Sequence, residues 1–307
     1  MTSLKNVLLI ALAMISCLSA ISQEALQTVI AKNGDGIFSI LRNEGIEIAK
    51  YYGAFLELNQ DNLINGSDLV VGETYFLPNA PDSFKNRGLI IDMGDGMERP
   101  IFEGKLATLK IKDSSLLNTV YYLIEQHSRG RQVVSNNVED VIAVTMARKL
   151  LQSGARVYLF NSDIKDSLNL IDFVSVVNKK YLKHNGNYQR LMVIDNGGIN
   201  SKTKTDISVY HYAESGESKR FADNMLMVFG KNTIKREALN DYSEMCTDFD
   251  DITFAKNSLP PITFIIMGPK MGDADKTIKV TATKNNIANL IANGILLDYS
   301  NTEFEDN

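Results

Sequence analysis

Short runs of β-branched and other apolar residues alternate with longer amphipathic runs over residues 88–299, and this alternation constrains the fold more than any other feature. Strands that are apolar on both faces need cover on both faces, and the helical runs between them can supply it. The sequence therefore predicts an α/β domain with a sheet covered by helices on both faces. The predicted strands are 88–91, 156–160, 191–194, 207–211 and 262–267, and the predicted helices are 116–126, 138–153, 168–182, 218–229 and 285–297.

The charge and composition exclude several classes of protein. The chain has 32 Lys and Arg against 37 Asp and Glu, a net charge of −5, with no block of like charges. Nucleic-acid binding needs clustered basic residues, so a nucleic-acid partner is not expected. A content of 44% hydrophobic and 22% charged residues is typical of a globular protein, and 307 residues suggest two domains. With only three His and two Cys, any zinc site must draw on a small pool of ligands.

The N-terminal residues 1–22 have the layout of a secretory signal peptide. Lys5 precedes an apolar core over residues 7–15, and the small residues Ser19, Ala20 and Ser22 follow it. Cleavage after Ser22 predicts an exported protein of the periplasm or cell envelope. Lipid attachment at Cys17 is the alternative, although the preceding Met-Ile-Ser matches a lipobox poorly. Loss of Cys17 would leave Cys246 as the single cysteine and exclude an intramolecular disulfide.

Composition then divides the mature chain into four parts. A compact segment, 25–78, is followed by a polar, proline-containing linker, 79–87, a larger domain, 88–300, and an acidic tail, 301–307. Within the first segment the pattern is a strand, a Gly-Asp-Gly turn, two helices of which the second ends at Asn59, and a closing strand that ends at Pro78.

This first segment resembles a LysM domain. The resemblance implies a βααβ unit that binds N-acetylglucosamine-containing glycans, chiefly peptidoglycan or chitin, in a groove between the entry loop of the first helix and the end of the second. Backbone amides and carbonyls in a shallow groove can bond acetamido and hydroxyl groups. Alternatively, Asp35 and Asn59 only cap or turn the helices. The groove residues that the resemblance implies are Gly34, Asp35, Gly36, Ile37, Asn59, Asn62 and Leu63.

The larger domain resembles the zinc-dependent N-acetylmuramoyl-L-alanine amidases. Residues 88–96 (GLIIDMGDG) resemble their opening strand and "Ile-Asp-Pro-Gly-His-Gly-Gly" loop, and Glu139 matches a ligand Glu at the start of a helix. Residues 190–196 (RLMVIDN) stand in the place of "Leu-Phe-Val-Ser-Ile-His-Ala-Asn", and 261–268 (PITFIIMG) in the place of "Pro-Ala-Val-Leu-Val-Glu-Leu-Gly". Residues 287–299 match the closing helix.

The chemistry that the resemblance implies is not retained. Asp95 and Asp195 stand where the family has zinc-binding His residues, and Ile266 stands where it has the catalytic Glu; only Glu139 remains. More than forty residues separate Asp95 from Glu139, which is longer than the family pattern. If Asp95, Glu139 and Asp195 meet, at least one carboxyl should have a raised pKa. Such a site could take a hard cation, but we expect it to be vacant.

Two functions follow from these patterns. The preferred one is a secreted peptidoglycan-binding protein with a catalytically inactive amidase-like domain, which needs no cofactor and has peptidoglycan or envelope proteins as partners. The other is an active amidase with a drifted metal site, which would need zinc. His127, His184 and His211 have no paired spacing, and we expect them to be structural or exposed.

Overall fold

The computed structural model describes residues 26–94, 96–103, 106–126, 142–161, 169–196, 204–231, 243–268, 278–281 and 284–305. The described chain forms two compact units. The smaller unit comprises the residues up to Leu41 together with Glu47–Ala80, and the larger unit comprises Arg42–Ile46 and the residues from Pro81 onwards. The predicted signal peptide lies outside the described residues.

The smaller unit has the predicted order of elements. Strand β1 (Thr28–Ile30) is followed by helices α1 (Ile37–Asn43) and α2 (Ile48–Asn59) and by strand β2 (Thr74–Phe76). The two strands pair antiparallel, with Val29 opposite Tyr75. Buried Phe55 of α2 packs against Tyr75 with 6.2 Å between the ring centroids. The strands are therefore held to the second helix by an aromatic contact.

Part of the predicted linker 79–87 is helical. Residues Phe84–Arg87 form a short helix, α3, and the Ser83 hydroxyl at its N-cap accepts the Asn86 N–H at 3.3 Å. Buried Arg87 donates to the carbonyls of Gly154 at 3.1 Å and Leu151 at 3.4 Å. The end of this segment is thus anchored within the larger unit.

The larger unit is built on one mixed sheet. Its strands are β3 (Gly88–Asp92), β4 (Glu98–Pro100), β5 (Thr119–Gln126), β6 (Arg156–Asn161), β7 (Tyr188–Asp195), β8 (Lys204–His211), β9 (Ser243–Met245), β10 (Ile262–Met267) and β11 (Ile278–Thr281). Their order is β11-β8-β10-β7-β5-β6-β3-β4, with β9 paired to β8. The five strands from β10 to β3 in this order are parallel. Strand β8 runs antiparallel to β10 and β11 and parallel to β9, and β4 runs antiparallel to β3.

Helices cover both faces of this sheet, which confirms the predicted fold class. Helices α4 (Ile142–Gln152), α6 (Gly216–Lys231) and α8 (Lys284–Glu305) pack on one face. Helices α5 (Leu170–Lys183) and α7 (Phe249–Asn257) pack on the other. Each face has its own apolar core, as expected for strands with apolar residues at successive positions.

The helix predicted for residues 116–126 is wrong, because Thr119–Gln126 form β5 in the middle of the sheet. Six successive residues of β5 are buried, and a continuous apolar run has no periodicity that separates a strand from a buried helix. Its β-branched and aromatic composition, TVYYLI, favours a strand. Asn118, directly before it, has a φ of 63°, which interrupts any helix at that point.

The other predicted elements differ from the observed ones at their ends, whereas β4, β9, β11 and α7 were not predicted. The five predicted strands are confirmed as β3, β6, β7, β8 and β10. Helix α8 extends to Glu305 and so includes the first residues of the predicted acidic tail. Among the residues that the structure describes, no helix is long and apolar enough to cross a membrane.

Candidate functional site

The carboxyl ends of β5, β7 and β10 meet at one edge of the sheet. Gln126 of β5 is the register partner of Asp195, and Asp195 is in turn the partner of Ile266 on β10. Ligands of open parallel sheets bind outside this edge. The structure therefore brings together two of the positions that the sequence singled out, Asp195 and Ile266.

Asp195 and Ile266 also share a face. Side chains alternate along a strand, and Leu191 and Val193 of β7 belong to the core under α5 and α7, so Asp195 faces the same side. Ile266 is half-buried and packs against that same core. An aliphatic side chain thus stands beside the Asp195 carboxylate at the position where the resemblance implies an acid or base.

Asp251, in the first turn of α7, is a titratable group at this edge that the sequence analysis missed. Burial, followed by repulsion from Asp248 and then from Asp195, raises its pKa to about 6. The Asp248 side chain caps α7 by accepting the N–H groups of Asp250 at 2.9 Å and Asp251 at 3.4 Å. The carboxyls of Asp195 and Asp251 therefore influence each other, although they are far apart in sequence.

Glu125 lies at the same edge but on the opposite face, since it precedes Gln126 on β5. One carboxylate oxygen accepts the Ala143 N–H at the start of α4 at 2.8 Å, and the other accepts from the Asn196 side chain at 3.3 Å. The Asn196 N–H donates to the Gln126 carbonyl at 2.8 Å. Glu125 thereby ties β5, the end of β7 and α4 together. The position of Glu125 at the end of an apolar run would have identified it as a site residue if residues 119–126 had been predicted as a strand. The wrong helix prediction prevented this.

Asp95 and Glu139 lie outside the described residues, as does His127, so their meeting with Asp195 stays a prediction. The strand before Asp95 is β3, and β6 and β5 separate it from β7. At about 4.8 Å between neighbouring strands, β3 runs roughly 14 Å from β7. Asp92 at the end of β3 pairs with Arg99 of β4 at 2.9 Å. The strand beside β7 is instead β5, which the sequence analysis did not recognise as a strand.

The described residues fit zinc poorly at this edge. Among them, no group of three or more His, Cys, Asp or Glu side chains is placed to hold a metal ion. Carboxylate oxygens alone suit hard cations better than zinc. Cys246 is buried, and this burial raises its pKa to about 12, which disfavours a thiolate ligand.

Two of the three histidines lie in the described residues, and both have internal partners. The Nε2 of His184 lies 2.7 Å from the Tyr158 hydroxyl, and burial lowers its pKa to about 4. Buried His211 bonds the Tyr212 carbonyl through Nδ1 at 3.2 Å. These contacts agree with the structural role expected for them.

The first stretch of the predicted glycan groove is a tight turn. Asp35 closes it by accepting the Lys32 N–H at 2.8 Å, and the Ser39 hydroxyl accepts the Gly36 N–H at 2.9 Å. Gly34 has a φ of 88° and is exposed, as is Gly36. Ile37 is buried in the core of the smaller unit. The backbone of the two glycines, rather than the Ile37 side chain, is therefore open to a ligand.

The second stretch contains one structural residue and two that are accessible. Buried Asn59 donates to the carbonyls of Phe55 at 2.8 Å and Phe76 at 2.9 Å and accepts the Phe76 N–H at 2.7 Å. Its side chain therefore joins α2 to β2. Asn62 is exposed, with its carbonyl accepting the Tyr75 hydroxyl at 3.3 Å, and Leu63 is half-buried.

No protein-family model and no curated protein matches the sequence. Several solved structures are similar to it. One is the catalytic domain of the CD27L endolysin, which targets Clostridia difficile, at 16% identity over 58% of this chain and 96% of that chain, with a TM-score of 0.39. Another is the N-acetylmuramyl-L-alanine amidase of Mycobacterium smegmatis, at 12% identity over 61% and 99%, with a TM-score of 0.41. A third is the catalytic domain of an N-acetylmuramoyl-L-alanine amidase of Bacillus (Paenibacillus) polymyxa, at 18% identity over 61% and 98%, with a TM-score of 0.35.

Proposed function

We propose that this protein is a secreted peptidoglycan-binding protein whose larger domain has an amidase-like fold without amidase activity. The observation that carries the proposal is the register pair of Asp195 and Ile266 at the carboxyl edge of the sheet. These are the positions at which the resemblance implies a zinc ligand and a catalytic Glu. The two residues that differ from the family pattern, Asp195 and Ile266, are therefore neighbours at the carboxyl edge of the sheet.

The chemistry of this pair argues against zinc-dependent amide cleavage. Such a reaction needs a metal that activates water and a base that takes the proton from that water. An isoleucine side chain has no group that accepts a proton, so Ile266 cannot replace the base. We infer that this domain retains the arrangement of strands at the edge of the sheet but does not catalyse amide cleavage.

Glycan binding is assigned to the smaller unit. The exposed Gly34–Gly36 turn and exposed Asn62 offer backbone and amide groups, and the residues that are buried near them serve the core. Polar groups on a shallow surface suit acetamido and hydroxyl groups of a sugar chain. An exported protein with such a surface would meet peptidoglycan in the cell envelope.

The test uses the protein without residues 1–22, incubated with purified sacculi. We expect the protein to pellet with the sacculi and to release no stem peptides. A Gly36→Val/Asn62→Ala variant should pellet less, whereas Asp61→Ala, an exposed neighbour of Asn62, should pellet like the unchanged protein. Stoichiometric zinc together with stem-peptide release would overturn the inactive assignment.

A second candidate function, a hydrolase with a drifted site, is favoured by the half-buried position of Asp251 on α7, close enough to Asp195 for their charges to repel. A half-buried carboxyl with a pKa near 6 at the edge of a parallel sheet has the properties of a general acid or base. This candidate requires that Asp251→Asn abolish stem-peptide release and that Asp250→Asn, in the same turn of α7, retain it. If the unchanged protein releases no stem peptides, this candidate function is excluded.

Export is tested separately from binding. Sequencing of the protein purified from its native cell should find an N-terminus near Gln23. An intact N-terminus that still carries residues 1–21 would contradict the proposed export. A lipid on Cys17 would instead support the lipoprotein alternative.

A further inference from the structure

A small cavity lies in the larger unit between α4, α8 and the segment that leads into β5. The start of α4 touches Glu125 at the end of β5, so this cavity, at the end of α4, is on the other side of the domain from Asp195. Its volume is about 160 Å³. A cavity needs about 10–15 Å³ of such volume to hold one water, so this cavity has room for a small ion or ligand group.

Both apolar and polar residues line the cavity. Leu116, Leu150 and Ala292 are buried apolar residues of its lining. Six residues with polar side chains also line it: Lys112, Lys149, Gln152, Ser153, Asn289 and Asn293. A cavity that combines an apolar lining with a few polar groups is typical of a small-ligand site.

Two lysines place positive charge at this cavity without a carboxylate partner. Burial, followed by repulsion from Lys112, lowers the pKa of Lys149. In the described parts of the chain, neither lysine has a carboxylate oxygen within 4.0 Å of its ammonium nitrogen. Asp113 is the nearby acid: one carboxylate oxygen accepts the N–H of Ser115 at 3.1 Å together with that residue's hydroxyl, and the other accepts the hydroxyl of Ser153 at 3.5 Å. Its charge offsets part of the positive charge of Lys112, and that of Lys149 is left without a nearby carboxylate among the described residues.

The lysines are not needed to cap α4. A lysine in the last turn of a helix commonly balances the unpaired carbonyls there. In α4 those carbonyls already have backbone partners: Ser153 N–H reaches the Lys149 and Leu150 oxygens at 3.1 Å each, Gly154 N–H reaches Leu151 at 3.2 Å, and Lys112 N–H reaches Gln152 at 2.7 Å. The two ammonium groups remain available to a ligand.

We propose that this cavity binds a small oxyanion, a phosphate or carboxylate group, for which Lys112 and Lys149 supply the charge. Gln152, Asn289 and Asn293 carry amide donors for the anion, whereas the hydroxyl of Ser153 donates to Asp113 at 3.5 Å. An anion would relieve the repulsion between the two lysines and add charge-assisted hydrogen bonds. This site goes beyond the proposed function and does not depend on it.

The experiment titrates the full mature protein with inorganic phosphate and, in a separate arm, with acetate, at constant ionic strength set with chloride. We expect calorimetry to show saturable binding of at least one of the two anions. Binding of phosphate would identify a phosphate group as the ligand, and binding of acetate would identify a carboxylate. Lys112→Gln and Lys149→Gln should each weaken binding at least tenfold, whereas Lys149→Arg should retain most of it.

Lys110→Gln is the matched control, because Lys110 is exposed on the same segment and does not line the cavity. It should bind like the unchanged protein. Circular dichroism confirms that each variant is folded before titration. The proposal is overturned if neither anion binds saturably, or if the Lys112 and Lys149 variants bind as tightly as the Lys110 control.

Discussion

The guanidinium Nε of Arg190 lies 3.1 Å from a carboxylate oxygen of Asp298, and both side chains are buried. The same carboxylate accepts the Asn224 side chain at 2.9 Å and the Tyr188 hydroxyl, and Arg220 lies 3.5 Å away. Asp298 on α8 is therefore the shared acceptor for groups from β7 and α6.

Replacing Asp298 should destabilise the larger unit strongly. Asp298→Ala removes the buried counter-charge of Arg190 and leaves it only the exposed Glu217, so we expect the free energy of unfolding to fall by about 3–5 kcal/mol. Urea unfolding followed by circular dichroism measures the change. The control is Glu217→Ala: Glu217 also pairs with Arg190, at 3.0 Å, but its side chain is 60% exposed, so the loss should be about 0–1 kcal/mol. Equal losses in the two variants would contradict the role given to Asp298.

The raised pKa of Asp251 predicts a pH-dependent gain of stability on its removal. Because its pKa is about 6 in the folded protein and 3.8 for an ordinary aspartate, ionisation costs stability as the pH rises through this range. We expect Asp251→Asn to stabilise the protein at pH 8 by about 1–2 kcal/mol, a value reduced for partial exposure, and to change little at pH 3.5. Asp250→Asn, at an exposed position of the same turn, should show a much smaller pH dependence.

The lowered pKa of His184 predicts a loss of stability in acid. A pKa of about 4, against 6.5 for an ordinary histidine, means that the folded state favours the neutral ring. This contribution is fully present above pH 6.5 and is lost as the pH falls towards 4. Between pH 7 and pH 4.5, the free energy of unfolding of the His184→Gln variant should therefore fall by about 1–2 kcal/mol less than that of the unchanged protein. Asn187→Gln, at an exposed position nearby, should follow the unchanged protein; if both variants do, His184 carries no such linkage.

Asn59 should matter for the stability of the smaller unit rather than for direct contact with glycan. Asn59→Ala removes three hydrogen bonds, two with the Phe76 backbone and one with the Phe55 carbonyl, so we expect the free energy of unfolding to fall by about 2–3 kcal/mol. Asn62→Ala should leave stability within about 0.5 kcal/mol and weaken sacculus binding. Thermal unfolding and pelleting, measured on both variants, separate the two roles. A stable Asn59→Ala variant with lost binding would reverse this assignment.

The sequence predicted the sheet well where strands and helices alternate, as from β6 through α5 to β7, because each element has one clear periodicity. It failed at β5, where burial on both faces removes that periodicity. The same limit applies to the site. Resemblance to a known pattern singled out Asp195 and Ile266 separately, and the parallel register of β7 and β10 makes them neighbours. Asp251 could not be found in this way, since only the packing of α7 on the sheet brings it to Asp195.

The position of α8 has a consequence for the order in which the protein can fold as it is made. The strands and helices of the smaller unit all lie before Leu77, and we predict that this unit can fold before the C-terminal part of the chain is present. The larger unit cannot complete its fold until α8 has been synthesised. Its buried carboxylate on α8 is the partner of residues made about a hundred positions earlier, and α8 covers both α4 and α6. A chain that stops before α8 should therefore leave the apolar sides of α4 and α6 that α8 covers available to proteases and to aggregation.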